Sequence, residues 1–197
     1  MPNAEADHGR RADAVRNREA IMDAAKRCLA EDSSASMAEI AVAAGVGRVT
    51  LYGHFSSREE LVDAVFEQTI AQADAQLAAL DLTGDALAAM RRLVSSSWEI
   101  VAESQALLAA AEEALGSDRI RAHHHKPMRR VGALIKRGQA EGSFRSDQPI
   151  SWLTTCFHTI LHAGAGEVRS GRMTAEQAAR VIPGTVTAIL IPPKLGP

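Results

Sequence analysis

Between Gly45 and Arg58 the sequence Gly-Val-Gly-Arg-Val-Thr-Leu-Tyr-Gly-His-Phe-Ser-Ser-Arg carries Arg48, His54 and Arg58 and no carboxylate. Across residues 1–66 as a whole, acids outnumber bases, so this cluster is a local cationic island. Such an island, interleaved with the hydroxyls of Thr50 and Tyr52, has the chemistry of a polyanion-binding surface. Leu51 and Phe55 are four apart and read as the inner side of a short helix. At 100° per residue, Val49 and Gly53 then project opposite them, flanked by Thr50 and Tyr52. A face of this kind suits the DNA major groove, where an arginine such as Arg48 reaches guanine O6 and N7 and a valine meets a thymine methyl. Val49 and Gly53 bring little hydrogen-bonding capacity, so direct readout is sparse and rests largely on Arg48, with DNA shape supplying the rest.

A second group with chemical capacity is histidine. His158 and His162 are four apart and share a helical face, a spacing that can chelate a transition metal. They flank the stripe of Phe157 rather than fill it, which equally suits a polar pocket or a subunit interface. With no cysteine or carboxylate motif on that turn, the spacing assigns no metal, and metal sensing through His158 and His162 stands as the alternative. His123-His124-His125 point in different directions on a helix and are poorly placed for one ion. They lie in a run from Arg119 to Ala140 with Arg121, Lys126, Arg129, Arg130, Lys136 and Arg137 and no acid, either an anion site or a solvated face. No G-x-S-x-G, H-E-x-x-H, P-loop or dinucleotide fingerprint is present, so no catalytic residue and no cofactor are expected. A helical small-molecule enzyme is the remaining alternative.

The elements that must position these groups follow from composition and period. The chain has 197 residues, 46% hydrophobic, 23% charged and only 4% aromatic, with a net charge of -2. Abundant alanine and sparse β-branched residues predict an all-α fold of about nine helices, long enough to bury a core without disulfides. Cys28 and Cys156 have no ligand spacing and read as reduced, buried thiols of a cytoplasmic protein. No apolar run is long enough to span a membrane. Residues 1–13 show no apolar period and read as a flexible arm. Ile21, Ala24, Ala25, Cys28 and Leu29 mark a first helix over 14–31. Ser36 to Glu39 is a capping box opening a second helix that Gly45 ends with a positive φ. Residues 48–55 form the third, and a second capping box, Ser57 to Glu60, opens the fourth. A sixth helix ends at Gly116, and Pro127 is expected to kink or split the seventh. The eighth follows Pro149, and Thr174 to Gln177 caps a ninth in which Pro183-Gly184 is expected to produce a kink.

Helix, glycine turn, helix is a helix-turn-helix arrangement. The segment from Met37 to Leu61, with Ile40-Ala41-x-x-Ala44-Gly45-Val46, Thr50-Leu51-Tyr52-x-His54-Phe55 and Ser57-Arg58-Glu59-Glu60-Leu61, resembles the DNA-binding segment of TetR-family transcriptional regulators. The resemblance implies a three-helix DNA-binding domain at 14–66 and a ligand-binding and dimerisation domain at 67–197. It places Thr50, Tyr52, His54 and Arg58 on phosphates; Val49 and Gly53 depart from the family pattern, which commonly has Gly or Ala at the first position and a side chain at the second. It also implies a homodimeric, ligand-responsive repressor on a near-palindromic double-stranded operator. Pairing would run through helices eight and nine, where Ala163-Gly164-Ala165-Gly166 permits close approach. The pocket for a small-molecule effector is expected among helices four to eight, near Trp98, Met128, Leu134 and Phe157, with His158 and His162 at its edge.

Overall fold

A computed structural model of the chain describes residues 3–192, with side chains from Arg11 onward. Among the described residues there are nine helices and no strand: α1 (Asn3–Glu31), α2 (Met37–Ala43), α3 (Arg48–His54), α4 (Arg58–Ala78), α5 (Ala86–Glu103), α6 (Gln105–His123), α7 (His125–Ala140), α8 (Ile150–Arg169) and α9 (Ala175–Leu190). α1 begins at Asn3, so most of the stretch read from composition as an arm has helical backbone; Met1 and Pro2 lie outside the described residues. By compactness the chain divides into one unit reaching to Thr69 together with Ala106–Ile120, and another comprising Ile70–Gln105 and the chain from Arg121.

In the first unit, α1 buries Ile21, Ala24, Ala25 and Leu29 against α2 and α3, which contribute Ile40, Ala41 and Leu51. Ser36 caps α2 reciprocally: its hydroxyl accepts from the Glu39 N–H while the Glu39 carboxylate accepts from the Ser36 N–H at 2.8 Å. Both bonds satisfy donors that a helix start otherwise leaves orphaned. The Ser36 N–H and, after it, the Ser36 hydroxyl, which donates to the same carboxylate oxygen at 2.7 Å, hold Glu39 below the usual carboxylate range. At the end of α2, Gly45 takes φ 68°, the left-handed region that a side chain resists. The start of α4 is capped less regularly than its sequence suggests. The Ser57 hydroxyl accepts from the Glu60 N–H at 3.1 Å, but the Glu60 carboxylate accepts from the hydroxyl and N–H of Ser56 instead. Later in the chain, Arg119 donates two bonds to the Asp63 carboxylate, at 2.9 and 2.6 Å.

The second unit is built on α5, which packs on α7, α8 and α9, while α8 also packs on α7 and α9. Met90, Leu93, Trp98, Leu134, Ile135, Phe157 and Ile182 are buried there. The break expected at Pro127 lies earlier, at His124, where α6 gives way to α7. Pro127 is the third residue of α7, inside the first turn, where its missing N–H would have no intrahelical partner in any case. Gly116 interrupts α6 with φ 72° and ψ 167°, in keeping with the end expected there. α9 is capped by Thr174 and Gln177 as expected and runs on through Pro183 to Leu190. Cys28 and Cys156 are free thiols, half-buried rather than buried.

Candidate functional site

α3 is fixed from within. Leu51 is fully buried and Phe55, which caps the helix C-terminus, is 1% exposed, so the opposite side of the helix faces solvent. Arg48, Thr50 and Gly53 are exposed and His54 is half-exposed. Val49 is 88% exposed and Tyr52 45%. On α2, beside the turn, Val42 is 82% exposed, a position that the spacing of the sequence did not single out. A Cβ at Gly53 would meet nothing within 4 Å, so this glycine leaves an open notch in the surface of α3.

Arg58 is placed differently from the other residues of this set. Its Nε donates to the Ala35 carbonyl at 3.2 Å and its Nη2 to the Ser33 carbonyl at 2.5 Å. The guanidinium therefore braces the α1–α2 loop against the start of α4, and its fork is occupied in this conformation. Sequence spacing identified the charge but could not show what it already holds. Arg18, itself exposed, lies over the ring of the buried Phe55 at 4.9 Å and covers it from the solvent side.

The other unit contains a partly open cavity of about 70 Å³, lined by Ile70, Ala73 and Leu77 of α4, Ser97, Ile100 and Val101 of α5, and His124, Pro127, Met128, Phe157, His158, Leu161 and His162. The mostly apolar wall, with a few polar groups converging on it, has the lining of a small-molecule site. Of the expected lining residues, Met128, Phe157, His158 and His162 are present. Trp98 and Leu134 are absent from the wall; both are buried in the core behind it. Periodicity identified them as inward-facing but could not distinguish a wall from the packing behind it. The wall draws on α4, α5, α7 and α8, within the span of helices four to eight expected for it, but its individual α4 and α5 residues and His124 were not singled out.

His124, His158 and His162 meet at one end of this cavity. Ring centroids are 4.7 Å apart for His124 and His158, 5.1 Å for His124 and His162, and 4.0 Å for the stacked pair His158 and His162. Burial, followed by the charges of His124 and Arg121, pushes His158 down to about 4. Burial, followed by His158 and His124, pushes His162 down to about 3. Both imidazoles are thus neutral near neutrality, because a charged ring would lose its hydration there.

Of the small residues Ala163 to Gly166 on α8, Gly164 and Ala165 pack inside the chain, whereas Ala163 is exposed and a Cβ at Gly166 would meet nothing within 4 Å. A Cβ on Gly164 would lie 2.3 Å from Ile182 Cδ1 of α9 and 3.2 Å from the Trp98 ring. Gly164 and Ala165 are buried. The close approach expected between subunits at Gly164 is instead the intramolecular packing of α8 on α9 and α5. Exposed apolar groups on these helices are Trp152, at 55%, and Val181, at 47%.

Residues 21–65 match the family model described as bacterial regulatory proteins, tetR family. The HTH-type transcriptional repressor LfrR of Mycolicibacterium smegmatis is 28% identical over 178 residues, covering 89% of this chain and 91% of that protein. Among solved structures, the TetR-like regulator LfrR from Mycobacterium smegmatis in complex with proflavine aligns with a TM-score of 0.65 at 26% identity, over 90% of this chain and 97% of that one. The regulator FadR from Bacillus subtilis in complex with stearoyl-CoA aligns with a TM-score of 0.71 at 16% identity, over 88% of this chain and 97% of that one, a likeness of fold. No described helix is long and apolar enough to cross a membrane.

Proposed function

We propose that the chain, whose residues 21–65 match the model of bacterial regulatory proteins of the tetR family, is a TetR-family member: a cytoplasmic, ligand-responsive transcriptional repressor, not an enzyme, binding a near-palindromic operator as a homodimer. The observation that carries this reading is the outer face of α3. Arg48, Val49, Thr50 and Tyr52 stand in solvent on a helix whose inner side is locked by Leu51 and Phe55. Arg48 reads a guanine, Val49 lies against a thymine methyl, and Thr50, Tyr52 and His54 bind phosphates. The notch at Gly53 lets the backbone of α3 come near the duplex. Arg58 acts as a brace for the domain in place of a phosphate contact. Two copies would set their recognition helices about 34–36 Å apart, or a multiple of that. The exposed Trp152 of α8 and Val181 of α9 favour pairing through these two helices.

The effector enters the cavity between α4, α5, α7 and α8. Its wall is apolar and holds no carboxylate, which favours an apolar ligand over an aromatic cation such as the proflavine bound by LfrR. Met128 and Phe157 contact the ligand, and His158 and His162 close one end. A ligand that prefers a conformation with weaker DNA affinity releases the operator through linkage. A hundredfold release requires a preference of about 2.8 kcal/mol between the two conformations. Duplex titrations with and without an apolar ligand panel test the reading. Ligand-induced release that Phe157→Ala abolishes supports it, and release unaffected by any cavity substitution contradicts the placement.

A further inference from the structure

We propose that His124, His158 and His162 form a binding site for one divalent first-row transition ion, zinc(II) by fit, with a fourth coordination position open to the cavity. The inference stands on the geometry of the three side chains and does not depend on the DNA-binding reading. One ligand atom from each residue lies within 4.8 Å of the other two, and all three residues are buried or half-buried. Three nitrogens around tetrahedral zinc, at 2.0–2.1 Å from the ion, stand about 3.4 Å apart. The largest separation must therefore contract by about 1.4 Å, a distance that ring rotation about side-chain bonds can supply. His158 and His162, one turn apart on α8, form the chelating pair, and His124, at the junction of α6 and α7, stands against both rings and supplies the third nitrogen.

A further observation points to an ion. Nε2 of His158 is buried and has no hydrogen-bond partner, an arrangement that costs stability unless something accepts its lone pair or its proton. A metal does this, and neutral imidazole is the form that binds metal. The donor set of three imidazoles without carboxylate selects zinc, copper, nickel or cobalt over magnesium and calcium, which take oxygen ligands. His124 and His158 also line a second, more polar cavity walled by Arg121, His125, Thr154 and Thr155, which provides an aqueous route to the site. Arg121 lies close enough to act on His158, so its positive charge opposes a bare dication and favours an anionic atom at the fourth position. Spacing alone could not find this trio, because it takes one histidine from the run His123 to His125 and two from a helix more than thirty residues later.

The test uses the full, untagged chain stripped of metal and titrated with cobalt(II), then with zinc(II) in competition with a chromophoric chelator. The expected result is one cobalt per chain with the intense visible bands of tetrahedral coordination, displaced by one zinc. His162→Gln and His158→Gln should each lower zinc affinity more than about 100-fold, since even outer-shell changes cost 10–100-fold. His123→Gln and His125→Gln should leave it unchanged, with circular dichroism confirming the fold of every variant. Absence of the tetrahedral spectrum in the wild-type chain overturns the proposal, as does zinc binding that survives replacement of all three histidines. The wild-type spectrum decides the matter even if a variant fails to fold. Loss of duplex binding by α3 variants would leave every one of these results untouched, so the two readings fail separately.

Discussion

Replacing Arg58 by alanine separates two roles that its charge alone would allow. The side chain donates two charge-assisted hydrogen bonds to the carbonyls of Ser33 and Ala35. Each such bond contributes about 1.5–3 kcal/mol when buried, and the half-exposed position of Arg58 brings the pair to a total of about 2 kcal/mol. For a chain of this size that corresponds to a fall in melting temperature of about 4–8 °C. Arg58→Lys should recover less than half of it, because an ammonium lacks the fork that reaches both carbonyls. Thermal melts followed by circular dichroism give the stability, and duplex titrations well below the melt give the affinity of the folded protein. The expected pattern is a clear loss of stability with only a modest change in affinity. An unchanged melt, combined with weaker binding to every duplex and a salt dependence reduced by about one ion, would make Arg58 a phosphate anchor and refute the brace.

Further substitutions probe other parts of the molecule. Gly164→Leu should lower stability by about 1–3 kcal/mol, read from denaturant melts, because its side chain must displace Ile182 and Trp98; a stable monomer would return the glycine to the subunit interface. Trp152→Glu should shift the mass by light scattering from dimer towards monomer while leaving the melt of the monomer intact. Asp74, nearly buried, pairs with Arg130 at 2.9 Å and Lys126 at 3.0 Å. Asp74→Ala should therefore cost about 2–4 kcal/mol in the same melts, since it leaves a half-buried guanidinium without its partner. Gly53→Ala should raise stability by about 0.5–1 kcal/mol, because the helix gains a better former and the new methyl meets nothing.

The local features of the chain were legible where their causes are local. The caps at Ser36 and Thr174, the left-handed Gly45 and the inward pair Leu51 and Phe55 all depend on neighbours within one or two turns. Features set by another element were not. The periodicity of α8 placed Gly164 at a close approach, but only the fold shows that the approaching atoms are Ile182 and Trp98 of the same chain. Pro127 reads as a helix breaker by its chemistry, yet in the first turn of α7 that chemistry costs nothing. The cavity of the second unit was half legible: Met128 and Phe157 line it, whereas Trp98 and Leu134 share the same inward signature and are buried outside its wall. His124 gave no signal in the run His123 to His125, because its partners lie on α8.

Selection of duplexes from a random pool, followed by titration of the enriched sequence with the wild-type chain and Arg48→Ala, tests most directly whether α3 reads DNA. The expected outcome is a near-palindrome with half-sites about 34–36 Å apart or a multiple, bound by a dimer. Arg48→Ala should lose about 1–3 kcal/mol on that site and relax its preference at one base in each half, with non-specific binding only modestly weaker. A pool that yields no enriched sequence, or an Arg48→Ala protein that keeps every base preference, would contradict the assignment of α3 as the reading helix.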